Sequence, residues 1–388
     1  MRSALIVWMV FCAGLGAAAQ FGKISVLFED LRLFYAGYGP VAMGWMVSIV
    51  GLIGLIFGTV AGVLVGPLGA RRALVGALMV AALVSAAQSV LPPYPAMMAL
   101  RVIEGASHLA IVVAGPVLMA RASTPGTLGL VMALWGSFFG LSYAGLAAAV
   151  PGMVATHGIG SVFLGHAAWM AVCAGVLWIL LPADPVQPQT ASGSWLARHR
   201  MIYASPRIAA PGLGFFCYTI LFVALLTLLP PQVAEPHRAM VGFWMPLAAI
   251  LVSLTLGVWI LRHLTAVKTV QLGFVLAGAA CVALALTWGQ GLPMAAAALA
   301  LSGSFGLVQG ASFASIAQLN LAADERAMSA GALAQMGNLG TVTGTPLLAA
   351  ILAAGGSGRA ILLFCVPFCM AGIAIHAVQS ARRLHNPV

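Results

Sequence analysis

The sequence predicts an all-α membrane protein: twelve transmembrane helices arranged as two pseudo-symmetric six-helix bundles. Three observations lead there. Of 388 residues, 62% are hydrophobic and only 6% charged, against roughly 25% charged residues in soluble domains. Twelve stretches reach the ~20 mainly apolar residues that a helix needs to cross a bilayer. Lys and Arg then gather on one side of those stretches. A soluble core of this size could not be covered by so few polar residues.

The spans run in order as 4–27, 42–64, 73–91, 96–120, 127–150 and 159–181, then 210–230, 240–261, 269–288, 293–317, 328–353 and 358–380. The first begins like a secretory signal peptide, with a basic residue, an apolar run and small residues up to Gln20. The apolar character continues through "FGKISVLF", longer than such a leader, so 4–27 reads as a span. Most connections are short. The exception is 182–209, a polar cytoplasmic loop that divides the chain into bundles 1–181 and 210–388. Pro116, Pro246, Pro346 and Pro367 fall inside spans 4, 8, 11 and 12 and would bend them. In "GSFGLVQG", Gly303, Gly306 and Gly310 share one helix face, the pattern of close helix approach. Cys12, Cys173, Cys217, Cys281, Cys365 and Cys369 all sit in apolar stretches and read as reduced packing residues.

Orientation follows from the basic residues. With the N-terminus in the cytoplasm, twelve Lys or Arg fall on the cytoplasmic side, namely Arg2, Arg71, Arg72, Arg121, Arg198, Arg200, Arg207, Arg262, Lys268, Arg326, Arg382 and Arg383. Arg32, Arg238 and Arg359 fall opposite, and Lys23 and Arg101 lie within spans. The net charge of +10 is therefore a topology signal and gives no argument for nucleic-acid binding.

The two halves echo each other. "GVWILRHLTAVKTVQLG" (257–273) aligns with "GVLVGPLGARRALVG" (62–76) after a small insertion, which matches Lys268 to Arg71. "WGSFFG" (135–140) resembles "MGNLGT" (336–341). Such repeats build many secondary transporters, with the substrate site near the midplane. The loop after span 2 carries more. It reads Gly62-Val-Leu64-Val-Gly66-Pro67-Leu-Gly69-Ala70-Arg71-Arg72, and it resembles the Gly-x-Leu-x-Asp-Arg-x-Gly-Arg-Arg signature of the major facilitator superfamily. In that family the motif's acidic and basic groups act as a charged latch at the cytoplasmic helix ends. The resemblance therefore implies the family's fold and a gating role for Gly62, Gly66, Gly69, Arg71, Arg72 and, through the repeat, Lys268. Gly66 stands where the acid belongs, so Arg71 and Arg72 need other partners, such as helix C-terminal carbonyls or lipid phosphates.

Candidate pathway residues are the polar groups inside spans. Span 4 has the family's Arg-x-x-x-Gly pattern at Arg101 and Gly105, and Arg101, Glu104 and His108 share one helix face. An intramembrane Arg costs at least a few kcal/mol unless it faces protein or water. Gln20 and Lys23 share a face of span 1; Lys23 either lines a cavity or snorkels outward toward Glu29 and Asp30. The second half offers amides, Gln309 in span 10 and Gln335 with Asn338 in span 11, which also serve as helix glue.

The substrate is the open question. Span 5, "LWGSFFGLSYAGLAAAV", lacks the Gly-Pro-x-x-Gly-Gly-type motif by which drug–proton antiporters of the superfamily resemble one another. That favours uptake, by symport or facilitated diffusion, over efflux. His166 with Met170 and Cys365 with Cys369, each pair four apart, would suit Cu(I). "RVIEGASHLAIVV" loosely resembles a bacterial branch of copper and riboflavin importers. Those importers carry Met-x-x-x-Met in span 7 and His-x-x-x-Met in span 8, but here span 7 has no methionine and span 8 no histidine. No phosphate-binding Gly-x-x-x-x-Gly-Lys-Ser/Thr loop is present, against an ATP-driven pump. Glu104 with His108 is the one pair that could serve an enzyme, and a non-transporting sensor on the same scaffold is the remaining alternative. The expectation is a monomeric carrier of a small molecule or ion, embedded in the lipid bilayer of a bacterial inner membrane, without a cofactor. Single cysteines at Thr190 and Asn386, in a background cleared of native cysteines, should both label from the cytoplasmic side; labelling on opposite sides would refute the twelve-span topology.

Overall fold

The computed structural model describes residues 2–61, 68–184 and 194–385. Among these all regular structure is helical. In chain order we number α1 (Arg2–Val26), α2 (Phe28–Phe34), α3 (Pro40–Ser48), α4 (Gly51–Phe57), α5 (Ala70–Gln88), α6 (Tyr94–Arg121), α7 (Leu128–Gly136), α8 (Phe138–His157), α9 (Gly160–Leu180) and α10 (Trp195–Ala204). There follow α11 (Ala209–Leu228), α12 (His237–Ile260), α13 (Ala266–Leu286), α14 (Leu292–Leu319), α15 (Ala323–Gly355) and α16 (Gly358–His385). Eleven described helices are long and apolar enough to cross a membrane, and the pair α3–α4, bent by 57°, makes a twelfth.

The predicted spans map onto these helices with informative exceptions. Span 2 is broken between Ser48 and Gly51. At that break Gly51 packs so closely that a Cβ would lie 2.8 Å from Val342 Cγ2. Span 5 is interrupted at Ser137, whose hydroxyl donates to the Leu134 carbonyl at 2.7 Å. A short polar side chain competing for backbone carbonyls is a known helix interrupter. The helices run on through Pro116, Pro246, Pro346 and Pro367, and also through Pro151 in α8. The 182–209 segment, read as a loop, contains helix α10.

By internal contacts the chain forms two compact units, Met1–Gly37 with Leu52–Gly54 and Val60–Ser192, and Tyr38–Gly51 with Leu55–Thr59 and Gly193–Val388. In the first, Phe11 of α1, Leu74 and Leu78 of α5, Ile111 of α6 and Leu177 of α9 form one buried core. The Trp135 indole is seated against Gly14 of α1 and Gly115 of α6, where a Cβ on either glycine would collide with it. In the second unit, helices pass backbone to backbone. Gly303, Gly306 and Gly310 all face α12, meeting Val252, Ala249 and Ser253, as the spacing predicts. Gly340 and Gly344 of α15 press on the Ile220 backbone of α11, and Gly44 of α3 lies against Pro346.

Lipid offers no hydrophobic drive between helices, so such close approach supplies the dispersion contacts that hold the bundle. Gly306→Ala should therefore push α14 off the Ala249 backbone and cost about 1–3 kcal/mol. Gly278→Ala, on the same fold but with open space around it, should be neutral or slightly stabilising. Thermal unfolding midpoints of the two detergent-solubilised variants check this; equal midpoints would refute it.

Candidate functional site

Four helices of the first unit converge on one buried polar cluster. Among the described residues, the only buried Lys, Arg, Asp or Glu side chains are Lys23, Arg101 and Glu104, each fully buried. Glu104 is held from three directions. Its Oε1 accepts from Lys23 Nζ of α1 at 2.7 Å, and its Oε2 accepts from Arg101 of α6 at 2.5 Å and from Gln88 Nε2 of α5 at 2.9 Å. Arg101 also donates to the Gln20 carbonyl at 2.7 Å. The Lys23 ammonium, 5.1 Å from the Phe163 ring centroid, has four acceptors for three protons: Glu104, Gln88 Oε1 at 2.8 Å, Ser85 Oγ at 3.0 Å and His166 Nδ1 at 3.2 Å.

The histidines are fixed by carbonyls, which only accept. His166 Nε2 lies 2.9 Å from Gly16 O, so that nitrogen carries the proton and Nδ1 faces Lys23 and Ser85 as an acceptor. His108 Nδ1 faces both Ala17 O at 3.0 Å and Gln20 Oε1 at 3.1 Å, so it is the donor there. Gln20 Nε2 in turn donates to Ser107 at 2.9 Å, and Ser25 is bonded to Tyr143 at 3.1 Å. The helical spacing that put Arg101, Glu104 and His108 on one face, and Gln20 with Lys23 on another, thus brings the two faces together. Lys23 does not snorkel: it is buried on Glu104, while Glu29 pairs with Arg32 at the surface. Ser85, Gln88 and His166 complete the cluster from α5 and α9. An intramembrane Gln at the end of span 3 was the signal that could have found the first of these helices.

The loop after span 2 leads to a second arrangement. Gly62 and Gly66 lie outside the described residues. Gly69 has φ +80°, and a Cβ there would overlap the Asp184 carboxylate. Asp184 brings a carboxylate to the start of α5. It accepts from the Arg71 amide at 2.7 Å at the start of α5 and from the Arg121 guanidinium at 3.3 Å. The Arg71 side chain donates to the Trp178 carbonyl at 2.6 Å, in the last turn of α9, and stacks 4.3 Å from the Trp178 ring. A helix C-terminal carbonyl is thus one partner of Arg71, and a carboxylate from beyond span 6 is the other. Arg72 and Lys268 are exposed.

The amides of the second unit behave differently from one another. Gln309 is half-buried, with no hydrogen-bond partner among the described residues. Asn338 folds back on its own helix, donating to Ala334 O at 2.8 Å. Gln335 is the hub of a small network. Its Oε1 accepts from Tyr203 at 2.7 Å, and its Nε2 meets Leu55 O at 2.9 Å and His199 Nε2 at 3.0 Å. Burial pushes the Tyr203 phenol up to about 12, which keeps its proton in place as donor. Tyr203 and His199 come from α10, whose helical character the loop reading overlooked; Trp195 and Ile202, seven apart, were its signal.

The metal candidates do not assemble into a cluster. Both ring nitrogens of His166 are engaged by protein groups, and Met170 packs its sulfur against Gly16. Cys365 and Cys369 are buried in α16. Among the described residues no three His, Cys, Asp or Glu are grouped to hold a metal ion.

The family model described as Major Facilitator Superfamily matches residues 6–334. The chain belongs to the Major Facilitator Superfamily. A solved structure of a bacterial homologue of the human lysosomal transporter Spinster, inward-facing and unoccupied, is similar at a TM-score of 0.71 and 10% identity, covering 98% of this chain and 96% of that one. No curated protein matches. This superfamily member is a secondary membrane transporter with the superfamily's twelve-span fold, and its cluster of buried charge is the part of it that calls for a chemical explanation.

The cluster's charges are unequal in what their removal leaves behind. Removing Glu104 leaves two buried cations uncompensated, whereas removing Arg101 leaves the balanced pair Lys23–Glu104. Breaking a buried pair costs about 3–5 kcal/mol. Glu104→Gln should accordingly lower the thermal unfolding midpoint of the purified transporter far more than Arg101→Gln does; the reverse order would refute the charge count.

Proposed function

We propose that this carrier takes up a small organic solute bearing an anionic group, by proton symport, and that the Lys23–Glu104–Arg101 cluster is where the solute's charge is felt. One observation carries the reading: two buried cations face a single buried carboxylate, a formal surplus of one positive charge. An uncompensated charge at this depth costs several kcal/mol. An arriving carboxylate or phosphate offsets it. Lys23, with more acceptors than protons, and His166, with an acceptor nitrogen turned to it, give a proton somewhere to go when the charge changes. Uptake is favoured over drug efflux by the missing antiporter motif of span 5. Cu(I) import has less support, because its four candidate ligands are committed to hydrogen bonds or packing; riboflavin import stays in the screen below as an organic solute. The carrier reading assigns no enzymatic step.

Residues 1–181 and 210–388 are taken as the two repeats, joined by 182–209, in a monomer of a bacterial inner membrane with both termini cytoplasmic. The basic-residue asymmetry and the matched register of Arg71 and Lys268 support it.

Purified transporter in proteoliposomes, screened with labelled small organic anions, flavins and Cu(I) under an imposed pH gradient, tests the proposal. Arg101→Ala should abolish accumulation of the anion that wild type concentrates, while inserting normally. Wild-type uptake by the inserted variant would return the cluster to a structural role and move the search to Gln309, Gln335 and Asn338. Binding without flux in the wild type would favour the sensor.

A further inference from the structure

The internal repeat sets two positions side by side for comparison, and they differ in one respect. Arg71 is the second residue of α5 and Lys268 the third of α13, each at the N-terminus of the third span of its half. In the first half a carboxylate closes that helix end: Asp184, from just beyond span 6, accepts from the Arg71 amide and from Arg121. In the second half the last turn of α16 carries three basic residues, Arg382, Arg383 and His385. Among the described residues no acid stands in Asp184's place.

What stands there is a groove. A cavity of about 430 Å³ opens at the start of α13, lined by Thr265, Lys268 and Gln271 on that side and by Gln318, Ser380 and Arg383 on the other. None of its lining residues is acidic. Lys268 is exposed, and its ammonium has no partner among the described residues. Arg383 uses one nitrogen on Pro206 O at 3.0 Å and another on Ser380 Oγ at 2.7 Å, so none of its donors meets a carboxylate. The three carboxylates of the second half are elsewhere: Glu235 pairs with Arg238, and Asp324 and Glu325 open α15. The N-terminus of α13 adds its own partial positive charge to the same wall.

We propose that this groove binds a phosphate-bearing anion, which does for the second half what Asp184 does for the first. The chemistry fits a phosphate oxygen cluster. Arg383 offers a planar guanidinium, Lys268 a point charge, and Thr265 and Ser380 hydroxyls, with no acid to repel the ligand. A phospholipid phosphodiester and free phosphate share this chemistry. Basic pockets between transmembrane helices at a charged membrane face hold lipid headgroups.

The full-length transporter in a neutral detergent, titrated with phosphatidylglycerol, phosphatidylcholine and inorganic phosphate and read by native mass spectrometry and thermal shift, tests this. Retained phosphatidylglycerol with little retained phosphatidylcholine assigns the site to anionic lipid; retention of inorganic phosphate that displaces the lipid assigns it to the free ion. Lys268→Gln combined with Arg383→Gln should weaken the retained anion by about thirtyfold. Arg359→Gln, an exposed arginine at the opposite end of α16 from Arg383, should leave it unchanged. Gln271→Glu, which builds the missing carboxylate into the wall, should also abolish retention while keeping or raising the unfolding midpoint. That variant keeps both cations, so it distinguishes loss of the site from loss of the fold. Neither anion retained by the wild type, or retention unmoved by both the double variant and Gln271→Glu, would overturn the proposal.

Discussion

A carboxylate buried in a membrane must be held by partners that come with it, because the lipid interior has no water to give. Glu104 meets this constraint, and much of the first unit is arranged to satisfy it. Three helices donate to its two oxygens, and a fourth, α9, brings His166 to the far side of Lys23. The helices must be close for this to work. Gly16, at the level of His166 on α1, leaves room for Met170, and Ser107 and Ser85 use hydroxyls short enough to bridge neighbouring helices. Small residues and charges belong to one design: the first permit the approach that the second require.

The same constraint acts at the helix ends, where backbone N–H groups have no partner in their own helix. The first half solves it with a side chain of its own, Asp184, which folds back onto α5 and accepts from the Arg71 amide, with Gly69 leaving space for the carboxylate. The anion at the start of α5 thus rides on the chain leaving span 6 and ties that chain to α5 and to Arg121 of α6.

Much of the fold was legible because membrane spans have a strong one-dimensional signal. Twelve apolar stretches and the basic residues between them needed no tertiary information. Helix breaks at Ser48–Gly51 and Ser137 were not legible, since each depends on a packing contact or a hydroxyl–carbonyl bond that periodicity does not encode. Within the cluster, Arg101 with Glu104 could be read from the three-residue spacing on one helix. Lys23 was left between two readings, because its carboxylate lies 81 residues away and neighbours in sequence, Glu29 and Asp30, competed for it. His166 was noticed for the wrong neighbour: its spacing from Met170 suggested a soft metal, whereas its nitrogens face Gly16, Ser85 and Lys23. Asp184 and α10 were missed for one reason, that a polar segment between apolar blocks reads as connection.

Two fully buried cations share one buried carboxylate in the cluster. If Glu104 existed only to anchor helices, one cation would suffice, and a second fully buried cation would add desolvation cost with no new anion to offset it. Arg101 nonetheless spends a hydrogen bond on a neutral carbonyl, Gln20 O, and Lys23 spreads three protons over four acceptors. Neutral acceptors blunt the surplus charge without cancelling it. On the function proposed above, the surplus of one charge would be offset by a single negative charge on the solute or by the departure of one proton. Either event changes the hydrogen-bond pattern linking α1, α5, α6 and α9, so a change of charge at the cluster is also a change in how those helices are held.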